Sequence, residues 1–184
     1  MSDKNKGSVL VLIVIIIAIV SSISLMTLSI ATSQYQIKKT NSNIKRALYL
    51  SEDGINNTAM RVYNMVCSAC NDSVSKVDEY IKAYPEDVDG AEALFRSSYK
   101  SYVINRATGT VKSSKNPATE LENYDKLFFK GEKLTLCIKS TYVSTDGIKK
   151  SVSAEMHLLI PRYADIKTGR TDPSELFELS SIDL

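Results

Sequence analysis

Tryptophan is absent from this 184-residue chain, histidine occurs once, and there are only three cysteines, four prolines and seven glycines. A lone histidine, His157, cannot supply a two-histidine metal site, and on a polar strand face it reads as a surface residue rather than a base. No H-E-x-x-H, G-x-S-x-G or glycine-rich phosphate loop occurs. Three cysteines are too few for a disulfide scaffold and odd in number, so at least one stays free or pairs between chains. The net charge of +2 offers no electrostatic footprint for nucleic acid. Internal repeats and low-complexity tracts are also missing. The expectation is a protein without catalytic machinery, cofactor or metal.

What is present begins at Lys6, Gly7 and Ser8, after which no charge occurs until Lys38. Residues 9–20 are all apolar, and the run continues through Ile23, Leu25, Met26, Leu28, Ile30 and Ala31. At a rise of about 1.5 Å per residue, roughly 20 such residues cross the ~30 Å hydrocarbon core of a bilayer. Beyond it, Ile37, Ile44, Leu48, Ile55, Ala59, Val62 and Val66 recur in steps of three, four or seven that keep one helix face apolar. No proline interrupts, and the only glycine, Gly54, costs roughly 1 kcal/mol relative to alanine without ending a helix. The spacing predicts one helix over residues 8–66, membrane-spanning over 8–31 and amphipathic over 32–66.

Residues 67–184 suffice for one further domain with its own core. Val74, Val77, Tyr80, Ile81 and Tyr84 stand at helical spacing before Pro85, and Ala91, Leu94, Phe95, Tyr99, Tyr102 and Val103 repeat the pattern over 91–104. The stretch 112–118, with Asn116 and Pro117, reads as a loop. Leu134, Leu136, Ile138 and Tyr142 then alternate with polar residues, as do Val152, Ala154, Met156, Leu158 and Ile160, with the Asp146-Gly147 turn signal between them. This predicts an antiparallel hairpin whose apolar face packs on the long helix near residues 55–66. A stable sheet needs further strands, for which residues 127–129 are a candidate. Beyond Pro161 the pattern fades. Residues 171–184 carry Asp172, Glu175, Glu178 and Asp183 with no basic residue, the composition of a solvated acidic tail, although Asp172 and Pro173 could open a short docked helix. The fold class expected is α+β.

The short basic start, the small residue after Gly7, the run Ser-Val-Leu-Val-Leu-Ile-Val-Ile-Ile-Ile, and Ala-Leu-Tyr-Leu-Ser-Glu-Asp-Gly-Ile at 47–55 together resemble a type IV prepilin. More narrowly, the chain resembles the PilX-type minor pilins and the tip pseudopilins of type II secretion. The resemblance covers residues 6–63. It implies a leader of residues 1–7, cut after Gly7 by a membrane-embedded prepilin peptidase that methylates Ser8. It implies a single-pass cytoplasmic-membrane protein with its head outside, later drawn into an extracellular filament. The partners implied are major and other minor pilins, the peptidase, a platform membrane protein, and the lipid bilayer before assembly. Most pilins carry a glutamate at the fifth mature position to neutralise a neighbour's N-terminal amine. Leu12 stands there instead, and an apolar residue suits a subunit with no neighbour ahead of it, at the filament tip.

Two other origins for the apolar run stay open. Ser29 and Ala31 form a small-x-small site at which a secretory signal would be cleaved, and an uncleaved single-pass anchor of a binding or sensor domain is the second. Lys4 and Lys6 precede the run while Lys38, Lys39, Lys45 and Arg46 follow it, which taken alone favours the opposite orientation to that of a pilin. Cys67 and Cys70 form a C-x-x-C after a helix, where a thioredoxin-like pair would need a strand, so the reading is a structural disulfide or two reduced small residues. Asp87-Val88-Asp89-Gly90 has the look of a calcium loop, but Arg96 occupies the place of its glutamate, and a turn with a helix cap is expected. Glu52 and Asp53 are expected to be solvated or paired with Lys45 or Arg46.

Overall fold

The computed structural model describes residues 4–183, with side chains over 9–180. Residues 1–3, the start of the expected leader, lie outside the described residues, and Gly7 and Ser8 are described in their backbone alone. The element order is α1 (Lys4–Ala83), α2 (Val88–Val111), β1 (Ala118–Leu121), β2 (Lys133–Val143), β3 (Lys149–Leu159), α3 (Tyr163–Lys167) and β4 (Phe177–Asp183). The chain divides into two compact units, Met1–Lys45 and Arg46–Leu184.

The first unit is helical over its described length, and every side chain over residues 9–42 is exposed. The second is the α+β head. Within it α1 buries Ala47, Ser51, Ile55, Thr58, Val62, Met65, Val66, Ala69, Cys70, Ser73 and Val77, a face that turns inward every three or four residues. This corrects the expected helix end at residue 66. The buried face runs unbroken through the C-x-x-C, and no proline occurs before Pro85, so residues 74–83 are the last turns of α1 and not a separate helix. The chain then turns within residues 84–87. There Asp87 caps α2, its carboxylate accepting from the Gly90 amide at 2.9 Å and from the Tyr80 hydroxyl at 2.6 Å.

Helix α2 is longer than the 91–104 expected. It buries Ala91, Phe95, Tyr99, Val103, Ala107 and Val111, one residue in every four, and this single row packs as a ridge. The antiparallel sheet has the order β1-β2-β3-β4. The predicted hairpin is β2 and β3, with Leu136 opposite Met156 and Ile138 opposite Ala154. Gly147, at φ 78°, supplies the left-handed residue of its turn. Leu134, Leu136, Ile138 and Ser140 face inward from β2, and Val152, Ala154, Met156 and Leu158 from β3. The apolar ones among them close one core with Ile55, Val62, Val66 and Tyr99 from the helices, as the alternation requires.

Three expectations need correction. Residues 127–129 form no strand, and Leu127 and Phe129 are loop side chains packed against the core. The strand beside β2 is instead β1, in the stretch expected to lead out of a loop, with only Thr119 and Leu121 buried. The acidic terminus is not a solvated tail. Asp172 accepts from the Ser174 amide at 2.8 Å and opens a 3-10 turn over Pro173–Leu176, Leu176 is buried, and β4 pairs with β3. Its charges lie on exposed positions such as Glu178, while Phe177 and Leu179 are partly covered by the core.

Candidate functional site

The most unusual surface of the molecule is the apolar part of α1. Sixteen large apolar side chains between Val9 and Ile30, Leu12 among them, are 47% to 68% exposed. Full burial of such a side chain contributes about 1.5–3 kcal/mol, so leaving them half in water forfeits on the order of 20 kcal/mol. That exceeds the whole stability of a typical domain, and something apolar must cover this stretch. Residues 9–31 span about 35 Å as a helix, enough for a hydrocarbon core. Among the described residues this is the one helix long and apolar enough to cross a membrane.

Four hydroxyls in and just after the run are satisfied inside the helix. The hydroxyls of Ser22, Ser24, Thr27 and Thr32 donate to the carbonyls of Ala18, Val20, Ile23 and Leu28 at 2.8, 2.8, 2.8 and 2.9 Å. A hydroxyl paired to its own backbone can enter hydrocarbon without leaving a donor unmet. These four groups lower the cost of placing the polar zone at 21–33, which also suggests the end of a signal sequence, in an apolar medium.

The expected packing residues divide by position. Ile55, Val62 and Val66 are fully buried in the head, Leu48 and Ala59 are partly buried, and Ile44 is half-buried. Ile37, on the same face, is 60% exposed. Two determinants of head packing are not evident from spacing alone. A Cβ on Gly54 would lie 2.1 Å from Ser140 Oγ and 2.9 Å from Pro117 Cγ, so α1 approaches β2 through the missing side chain. Arg61 Nη2 donates to Thr58 Oγ1 at 2.8 Å, Thr119 Oγ1 at 3.0 Å and the Val111 carbonyl at 3.3 Å, tying α1 to the end of α2 and to β1. The lone mid-helix glycine was the available signal for the first; the second had none.

All three cysteines are free thiols. Cys67 is half-buried and Cys70 is 2% exposed, with the Cys70 thiol pushed up to about 12, mainly by burial and then by the adjacent Cys67. A thiol held protonated at neutral pH is a poor nucleophile. Burial likewise pushes the Tyr99 hydroxyl far above its usual range, and it donates to the Leu159 carbonyl at 3.1 Å. His157 sits half-buried on β3 with Nδ1 3.2 Å from Thr135 Oγ1, a cross-strand pair. Asp53 accepts from Asn57 at 2.9 Å, one turn along the helix. Among the described residues no three His, Cys, Asp or Glu side chains gather where they could hold a metal ion.

A second polar cluster fixes α3. Glu92 pairs with Arg96 at 3.0 Å and accepts from the Tyr163 amide at 2.9 Å, while Asp78 accepts from the Tyr163 hydroxyl at 2.8 Å and from Lys167. The bonds from Lys167 and Tyr163 hold the Asp78 carboxyl below its ordinary range.

Comparison with protein families, curated proteins and solved structures finds no match to this chain. A long, apolar N-terminal helix followed by a small α+β head with a four-stranded antiparallel sheet is consistent with a pilin-like fold, and its apolar part is a candidate membrane anchor.

Proposed function

We propose that the chain is a structural subunit of a type IV pilus, or of the related type II secretion pseudopilus, of the PilX minor-pilin type. Its work is assembly rather than turnover. Cleavage after Gly7 and methylation of Ser8 by a prepilin peptidase release a subunit anchored in the cytoplasmic membrane with its head outside. A platform membrane protein then passes it to a filament of major and other minor pilins.

One observation carries the reading: α1 exposes its apolar side chains over residues 9–30 and stays apolar on one face beyond a bilayer's thickness. Ile37, Ile44, Leu48 and Ile55 follow in steps of seven, four and seven, within about 20° of one line at 100° per residue. Leu48 and Ile55 are taken up by the head and Ile44 is half-buried, so the uncovered apolar surface is that of residues 9–30 and Ile37. A helix that exchanges lipid for the helices of neighbouring subunits uses all of it, because packing along its length replaces the burial lost on leaving the membrane. Leu12, with no carboxylate to offer an amine ahead of it, favours a place at or near the tip.

Immunogold labelling of sheared filaments tests this. Label confined to one filament end is the expected result. Even labelling along the shaft would overturn the tip position. Filaments without label, with the protein retained in the membrane, would favour a membrane-anchored binding domain, and soluble protein beginning at Thr32 would favour a secreted one.

A further inference from the structure

The residues that follow the apolar run have a charge pattern of their own. No Asp or Glu occurs between Asp3 and Glu52, so the helix leaves its apolar stretch into a segment whose only charges are Lys38, Lys39, Lys45 and Arg46. Tyr35, Lys38, Lys39 and Lys45 are all exposed, Tyr35 at 68%. With 3.6 residues per turn, Lys38 and Lys45 point within about 20° of each other, Lys39 lies about 100° away, and Tyr35 falls between them. The Ile37 and Ile44 stripe points the other way, about 100° from Lys38 and roughly 160° from Tyr35. One side of this segment is therefore aromatic and basic, with no acidic residue nearby in sequence to neutralise it.

The axial positions match the layers of a bilayer surface. Taking Ala31 as the end of the span, Tyr35 lies about 6 Å beyond it and Lys38 and Lys39 about 10–12 Å beyond it. The headgroup region is some 5–8 Å thick on each side of the hydrocarbon. Tyr35 thus falls at the depth where tyrosine is enriched, apolar ring inward and hydroxyl outward. Flexible lysine stems just above it can bend their ammonium groups back to phosphate depth. Lys45 stands about 21 Å beyond Ala31, more than roughly one Debye length above the headgroups, and is out of reach.

We propose that Tyr35, Lys38 and Lys39 form a collar that selects anionic phospholipid headgroups where the helix emerges from the bilayer. This rests on the membrane-inserted state of the proposed function and adds a lipid preference to it. The collar explains why basic charge is concentrated after the span, where orientation by charge alone would not place it in a pilin. It holds the subunit at the surface by contacts that must be released before the helix can leave the membrane.

The chain contains no tryptophan, so Tyr35→Trp introduces a single fluorescent reporter at the collar while keeping an interfacial aromatic. The full chain carrying it is reconstituted into vesicles of phosphatidylcholine with 20% phosphatidylglycerol, in two series in which one lipid or the other carries the brominated, quenching tails. Each basic residue near an anionic surface favours it by up to about fivefold, so phosphatidylglycerol should be enriched around Trp at position 35 by about threefold or more over its bulk fraction. Lys38→Gln with Lys39→Gln should abolish the enrichment, Lys45→Gln should leave it, and 0.5 M salt should lower it. Quenching in proportion to bulk composition would overturn the collar and leave membrane insertion standing. Absence of quenching by either lipid would overturn insertion as well.

Discussion

Replacing Gly54 by alanine sets two effects of opposite sign against each other, and the structure decides which wins. In an exposed helix the change would stabilise by about 1 kcal/mol, since glycine is that much poorer a helix former. Here the new methyl would meet Ser140 Oγ at 2.1 Å and the Pro117 ring at 2.9 and 3.1 Å. The serine hydroxyl can rotate, but the proline ring yields only if its loop moves. Overpacking of this kind costs about 1–3 kcal/mol, and two contacts under 3.0 Å place it at the upper end. The expected net loss is about 2 kcal/mol, or roughly 5–8 °C in Tm for a head of this size. The assay is thermal unfolding of the full chain in mild detergent, followed by circular dichroism. Ser140 supplies the control, because its buried hydroxyl has no partner among the described residues. Ser140→Ala should be neutral or stabilising by up to about 1 kcal/mol, and combined with Gly54→Ala it should recover part of the loss. A Gly54→Ala variant as stable as the parent, or more so, would refute the close approach of α1 to β2.

Other expectations follow from charge and burial. The Asp78 carboxyl is held below its usual range by Lys167 and Tyr163, so its stabilising contribution is complete above the unfolded value near 4 and is lost as pH falls through the lower folded value. Asp78→Asn should therefore lower Tm at neutral pH and flatten the acid side of a Tm-against-pH profile, and it should also weaken the fall at high pH, because the Asp78 carboxylate raises the Lys167 ammonium above its usual range. Iodoacetamide at pH 8 should alkylate half-buried Cys67 well before Cys70, whose thiol stays protonated there, as peptide mass mapping over time would report. Leu12→Glu puts a carboxylate into an apolar setting with no amine ahead of it, at a cost of several kcal/mol unless it is protonated. Fewer filaments, or a subunit displaced from the tip, should be visible by electron microscopy.

The parts of the fold legible in sequence are those where periodicity is long and unmixed. The apolar run, the amphipathic stripe through Val66, the core row of α2 and the alternation of β2 and β3 all declare their geometry. The errors have physical causes. The expected apolar stripe ends at Val66, yet the small thiols of Cys67 and Cys70 fit a helix face as well as alanine does, and α1 passes through them to Ala83. Strand β1 shows only two inward residues, one of them Thr119, too short an alternation to distinguish from a loop. Its edge is completed by side chains that no pattern reveals. Asn116 pairs with both backbone groups of Val143, at 2.6 and 3.1 Å, and Asn123 accepts from the Cys137 amide at 3.0 Å while donating to the Thr135 carbonyl at 2.8 Å. Strand β4 was hidden by its charge, because Glu178 lies on an outward position and one-sided acidity resembles a tail. For the candidate site the apolar surface was fully legible, whereas the close approach at Gly54 and the Arg61 bonds arise only from tertiary contact.

In the proposed function α1 enters the membrane as a prepilin and is cut after Gly7. Mass spectrometry of the N-terminal peptide, on protein isolated from its native cells, decides this. A mature chain beginning at Ser8 and carrying one added methyl group is the predicted result. An intact Met1, or a chain beginning at Thr32, would contradict it.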